Sequence, residues 1–223
     1  MSLAQIQGVL FDLDGTLADT APDLVQALNL SLQDVGIAAQ PLAAMRYAAS
    51  HGSFALVDAA IPNAADDLRT QVQQGLLVHY KRINGDHCAL FAGIAALLDW
   101  LELTQLPFGV ITNKPARFTR PLLRKLNLHL RMPVIISGDS TKHPKPHTAP
   151  MLLGAQQLNC APEHILYLGD AERDLLAARA AGMLGGVALW GYLGVNDKPS
   201  QWPAHAHFAS PTELHQALVD AFS

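Results

Sequence analysis

Little in this chain points to secretion, a membrane or nucleic acid. Only two cysteines, Cys88 and Cys160, occur in 223 residues. They are far apart and lack metal-ligand spacing, which argues against a disulfide scaffold and leads us to expect a reducing, cytoplasmic setting. No apolar run approaches the ~18 residues of a membrane span. The chain does not open with a basic segment followed by a long apolar stretch, so no signal peptide is expected. Charged residues make up 15% and the formal net charge is −4. Lys and Arg are scattered, whereas a nucleic-acid footprint would need a basic patch. Half of the residues are hydrophobic, enough for a sizeable core, and the length suits one large domain or a core with an insertion.

Gly8-Val9-Leu10-Phe11 is a short apolar run that stops at charge. It reads as a strand buried on both faces of a parallel sheet. Asp12 and Asp14 follow, then Gly15 and Thr16. In open α/β sheets, ligands bind beyond the carboxyl ends of the strands. Two carboxylates there repel each other unless a cation or a proton offsets the charge. A divalent ion with oxygen ligands does so economically, and Mg2+ suits so small a carboxylate set. An Asp-Gly turn ahead of a capped helix would need only one of these acids.

From Asp19 the pattern turns helical. Leu24, Leu28, Leu32 and Val35 recur at helical spacing up to Gly36, with Pro22 in the first turn and Asp19 or Thr20 as cap. Shorter helical pieces fall around 42–49 and 54–60. A longer one covers 65–83, with Leu68, Val72, Leu76, His79 and Ile83 on one face. Several helices in succession after one strand do not fit plain βα alternation and argue for an inserted helical domain. Alternation then begins. A helix on Ile94, Leu97, Leu98 and Leu101 precedes a buried strand over 107–111, and a helix on Arg117, Leu122, Leu123 and Leu126 follows it. Pro121 should disturb that helix. Further strands are expected over 133–137, 165–168 and 187–190, and a last helix over 212–221.

The strand ends carry the chemistry. Thr112, in Thr112-Asn113-Lys114-Pro115, can donate a hydroxyl to a phosphate oxygen, as can the N–H groups of the following helix; Thr-Asn is also a common N-cap. The loop after the third strand offers Lys142 and Lys145, and its proline-broken histidines, His143 and His147, form no helical ligand pair. Asp170 closes the fourth strand, and Asp174 lies four residues on, so their oxygens can meet at one point. Glu172, between them, suits helix capping.

Asp12-Leu13-Asp14-Gly15-Thr16, Thr112, Lys145-Pro146 and Gly169-Asp170 with Asp174 resemble, in order, the four motifs of the haloacid dehalogenase superfamily of phosphohydrolases. The resemblance covers essentially the whole chain. It implies a doubly wound parallel-sheet (Rossmann-like) α/β core over 1–17 and 85–223, with a helical cap over 18–84. It further implies that Asp12 is the nucleophile and Asp14 the general acid/base. Thr112 would hold the transferring phosphoryl group, and Lys145, rather than Lys142, would neutralise it. Asp170 and Asp174 would complete a Mg2+ site with Asp12 and Asp14, Asp174 directly or through water. The chemistry is coherent, because an ionised carboxylate attacks phosphorus without a base and leaves an acyl phosphate that water can split.

The stretches 110–115 and 145–150 are similar to a phosphoglycolate phosphatase-like branch. Arg117-Phe118, Gly191-Tyr192-Leu193 and Trp202 resemble phosphatases of N-acetylmuramate 6-phosphate. The expected specificity loop, Ser50-His51-Gly52-Ser53, departs from relatives by its His. With Arg46 and Asn113 these residues are the candidate substrate contacts. The expectation is a Mg2+-dependent phosphomonoester hydrolase acting on a small phosphorylated metabolite, N-acetylmuramate 6-phosphate or 2-phosphoglycolate. It would be a monomer or homodimer without nucleic-acid or membrane partners. A phosphosugar mutase shares all four motifs; Asp14 argues against a dehalogenase, and Asp12 with Lys145 against a non-catalytic module.

Overall fold

The computed structural model describes residues 3–222; Met1, Ser2 and Ser223, at the limits of the expected core segments, lie outside the described residues. Strand β1 (Gly8–Phe11) is buried at every position. Its side chains divide by the strand period: Val9 and Phe11 join one apolar cluster and Leu10 another. The chain then leaves through a short strand, β2 (Ala18–Asp19), and returns through its antiparallel partner β3 (Ala89–Leu90). Between them lie the four helices of the inserted cap: α1 (Ala21–Asp34), α2 (Leu42–Ala49), α3 (Ser53–Ala60) and α4 (Asp66–Ile83).

The rest alternates. Helix α5 (Ile94–Leu103) leads to β4 (Phe108–Ile111), and α6 (Ala116–Lys125) to β5 (Val134–Ile136). Next, α7 (Ala149–Leu158) leads to β6 (Ile165–Gly169), and α8 (Glu172–Ala180) to β7 (Leu184–Ala188); β8 (Ala206–Phe208) and α9 (Pro211–Phe222) follow. The six core strands are parallel, in the order β5-β4-β1-β6-β7-β8. The chain winds outward from β1 through β4 to β5, then crosses to β6 on the other side. That reversal opens a crevice at the carboxyl end of β1, where a doubly wound sheet binds its ligand.

Leucines of α5, α6 and α9 cover one face of the sheet, and Met151, Ala155, Leu158, Ala177 and Ala178 of α7 and α8 cover the other. The cap has a core of its own, built on Leu24, Leu28, Leu32, Leu56, Val72, Leu76 and Tyr80. Phe118 and Tyr192, from outside the cap, pack into it. Apolar packing therefore joins cap and core through Phe118 and Tyr192.

Four local expectations are corrected. Pro121 does not interrupt α6, which runs through it; only the bond its missing N–H would make is forgone, while Phe118, Leu122 and Leu123 stay buried on one face. Strand β7 lies earlier than 187–190, because Gly185 and Gly186 weaken the β signal of a fully buried strand. A Cβ on Gly186 would lie 2.7 Å from Leu168. In α4 it is Tyr80, not His79, that enters the core, and His79 pairs with Asp34 at 2.7 Å instead. Neither side chain proposed as cap of α1 fulfils that role: Thr20 is the N-cap residue without a side-chain capping bond, its hydroxyl being spent on Asp14.

Candidate active site

Lys145 stands beneath the crevice with its side chain fully buried. Its ammonium lies 3.0 Å from Asp12 Oδ1 and 2.8 Å from Asp174 Oδ1, and donates to the Ile111 carbonyl at 2.8 Å and Tyr167 hydroxyl at 2.6 Å. Asn113 fixes the backbone behind it. The Lys145 N–H donates to Asn113 Oδ1, and Asn113 Nδ2 donates to the Lys145 carbonyl, each at 2.9 Å. Asp12 directly follows β1 at 2% exposure, and its Oδ1 accepts the Leu13 N–H at 2.8 Å. Thr112 directly follows the neighbouring strand β4, its Oγ1 accepting the Lys114 N–H at 3.2 Å. Lys142 is exposed.

Carboxylate oxygens of Asp12, Asp170 and Asp174 lie within 4.8 Å of one another, all three residues buried. Burial raises the Asp12 pKa, with Lys145 opposing and Asp174 adding to the rise. Burial, followed by the charges of Asp12 and Asp174, pushes Asp170 up to about 8. A hard divalent cation is what such a buried, all-oxygen, net-negative cluster suits, so the residues present fit Mg2+. Gly15 shapes this turn: its φ is +81°, and a Cβ there would stand 2.1 Å from Asp170 Oδ2.

The Asp14 carboxylate is not brought into that cluster. Lys114 Nζ donates to its two oxygens at 2.7 and 3.0 Å, and the Thr20 hydroxyl donates at 2.6 Å. Lys114 also lies 5.0 Å from the centre of the Tyr80 ring, on the cap side. Asp14 is thus a separately held carboxylate at the same crevice.

The cap loop closes over these groups. Ser50 donates its hydroxyl to Asp170 Oδ1 at 3.2 Å. Arg173, from the first turn of α8, donates to the Ser50 carbonyl at 2.6 Å and Ser50 Oγ at 3.1 Å, and meets His51 Nδ1 at 3.0 Å. Burial and then the Arg173 charge lower the His51 pKa, favouring the neutral imidazole. Ser53 Oγ accepts from Gln73 at 2.9 Å.

Between floor and loop lies a cavity of about 400 Å³. Asp12, Asp14, Thr112, Asn113 and Lys114 line one side, Ser50, His51, Gly52 and Ser53 the other, and Tyr80, Arg117, Phe118 and Arg173 the walls. Arg46 is not among its lining residues. It pairs with Asp19 at 2.7 Å and stacks on Tyr192 at 5.6 Å.

Sequence reasoning assigned no role to Lys114, Arg173, Tyr167 or Tyr192. Lys114 and Arg173 each adjoin a motif residue, a usable signal, but their partners are tertiary. Tyr192 joins three segments: its N–H donates to Asp170 Oδ2 at 2.9 Å, its hydroxyl donates to Asp19 at 2.8 Å, and that oxygen accepts the Thr20 and Ala21 N–H groups at 2.6 and 2.9 Å.

Residues 9–185 match the haloacid dehalogenase-like hydrolase family. A phosphoglycolate phosphatase of Xanthomonas campestris pv. campestris is 38% identical over 208 residues, covering 93% of this chain and 94% of the relative. An N-acetylmuramic acid 6-phosphate phosphatase of Pseudomonas putida is 35% identical over 219 residues, covering 97% and 98%. Among solved structures, that of a predicted phosphoglycolate phosphatase from Haemophilus somnus superposes with a TM-score of 0.84 over 95% of this chain and 97% of its own. At 24% identity, that likeness speaks for the fold alone.

Proposed function

The chain belongs to the haloacid dehalogenase-like hydrolases and is a phosphatase of that family, and from this premise we propose that it is a Mg2+-dependent phosphomonoesterase working through an aspartyl phosphate on Asp12. The observation that carries the reading is the convergence of Asp12, Lys145, Asp170 and Asp174 in one buried cluster, with Asp14 held separately by Lys114. Asp12 Oδ attacks phosphorus and the bond to the substrate oxygen breaks. Lys145, Thr112 and nearby backbone amides hold the equatorial oxygens. Asp14 gives its proton to the departing alkoxide, then takes one from the water that splits the acyl phosphate, which returns Asp12 and releases inorganic phosphate. Mg2+, held by Asp12, Asp170 and Asp174, would supply the charge neutralisation that lets a phosphate dianion approach Asp12.

We take residues 18–84 as the cap and 1–17 with 85–223 as the core. Ser50 and His51 meet the core through Asp170 and Arg173, an arrangement suited to excluding bulk water. The substrate we favour is N-acetylmuramate 6-phosphate. A cavity of about 400 Å³ falls in the range of sites that enclose a small organic ligand, more room than a two-carbon acid needs, and Ser50, His51 and Ser53 suit a polyhydroxylated body. Phosphoglycolate is the second reading, favoured by the 38% identical relative. The test is kcat/KM for both compounds in Mg2+ and in chelator. We expect turnover only with the metal and the higher value for the sugar phosphate. Equal rates in chelator would remove the metal, and a preference for phosphoglycolate would reverse the substrate order.

A further inference from the structure

Each cation around the cavity except one is committed, either within the protein or to the phosphate end of the site. Lys145 is enclosed by Asp12 and Asp174, and Lys114 is spent on Asp14. Arg173 is held by Ser50 and His51, and Arg46 by Asp19 outside the cavity. His51, the remaining basic group of the loop, is disposed to the neutral form by burial. Arg117 differs. Among the described residues its guanidinium makes no ion pair or hydrogen bond, and it lies 4.9 Å from the centre of the Phe118 ring.

Its place is also one that helix electrostatics disfavours. Arg117 is the second residue of α6, whose first turn contains no acid. A cation there faces the positive end of the macrodipole, where an anion is the stabilising occupant. Arg117, Phe118 and Leu77 line both the main cavity and a smaller adjoining one of about 280 Å³, to which α4 adds Lys81. The two spaces share an apolar wall with an uncommitted cation on it. Such a wall suits a substrate whose body extends past the phosphate and ends in a second anion.

We propose that Arg117 is a specificity residue that pairs with a carboxylate carried on the body of the substrate, so that the pocket selects phosphomonoesters bearing a second anionic group. This rests on the phosphomonoesterase reading above and adds what the cavity discriminates. A planar guanidinium can take a carboxylate in a bidentate pair, which lysine reproduces only as a point charge.

The test compares N-acetylmuramate 6-phosphate with N-acetylglucosamine 6-phosphate, a matched sugar phosphate without the lactyl carboxylate. In wild type kcat/KM should favour the carboxylated compound. Arg117→Ala should lower that ratio about tenfold, mainly through KM, and Arg117→Lys should restore part of it. Because the ratio is taken within one preparation, partial misfolding cancels. An enzyme that hydrolyses both compounds with a ratio unchanged by Arg117→Ala overturns the Arg117 assignment alone. A wild type that turns over p-nitrophenyl phosphate but neither sugar phosphate overturns the choice of N-acetylmuramate 6-phosphate; the kcat/KM ratio of 2-phosphoglycolate to p-nitrophenyl phosphate then replaces it, and a ratio unchanged by Arg117→Ala overturns the Arg117 assignment.

Discussion

Replacing Lys145 by Met keeps an unbranched stem of similar length but removes the one ammonium inside the carboxylate cluster. The Lys145 side chain has 0% exposure, and its Nζ lies within 3.0 Å of four oxygens, two of them on Asp12 and Asp174. Removing one partner of a fully buried pair costs about 3–5 kcal/mol, because the other charge is left uncompensated. For a chain of this length that corresponds to a fall in Tm of roughly 6–20 °C. The remaining carboxyls can escape by taking up protons, as the raised pKa values of Asp12 and Asp170 indicate. Such groups bind protons more readily folded than unfolded, so the relief they give is lost as pH rises through their folded pKa. The loss should therefore be smaller at pH 6 than at pH 8, and Mg2+ should recover part of it. Thermal melts in chelator at the two pH values measure this. If the variant melts within about 2 °C of wild type at pH 8, Lys145 does not neutralise this cluster.

Other consequences follow from the same geometry. Asp170 is raised to about 8 against an ordinary 3.8, so the folded protein holds a proton that the unfolded chain lacks between roughly pH 4 and pH 8; in chelator its Tm should fall as pH rises across that window, and Mg2+ should flatten the slope. Lys114→Met leaves Asp14 without its cation in a pair whose side chains are 6% and 14% exposed; steady-state kinetics should show kcat down by about 10²-fold or more, with stability reduced by about 1–3 kcal/mol in urea melts. Tyr192→Phe removes the acceptor of two N–H groups at the start of α1 and should cost about 1–3 kcal/mol in the same melts.

The sequence made legible whatever is written along one strand and its end. An apolar run closed by acids announced β1 with Asp12, and the spacing of Asp170 and Asp174 announced two carboxylates at one place. Both patterns follow from periodicity and local chain direction. What the pattern missed depends on which distant group a side chain finds. Arg46 lies one turn before Ser50 on paper, yet Asp19, 27 residues earlier, holds it at 2.7 Å. Asp14 looks like a ligand beside Asp12, but Lys114, 100 residues on, takes its carboxylate. Pro121 and the Gly185-Gly186 pair misled for a related reason: burial of neighbouring apolar side chains overrode local propensity.

Covalent catalysis by Asp12 is tested most directly by rapid acid quench of the Asp14→Asn variant with radiolabelled p-nitrophenyl phosphate, whose leaving group departs without a proton. Loss of the base for the second step should let the intermediate accumulate. A hydroxylamine-labile label approaching about one phosphate per chain should appear on the segment 8–20 and be absent when Asp12 is also replaced by Asn. Release of nitrophenolate without protein-bound label, or label that persists in the double variant, would contradict Asp12 as the nucleophile.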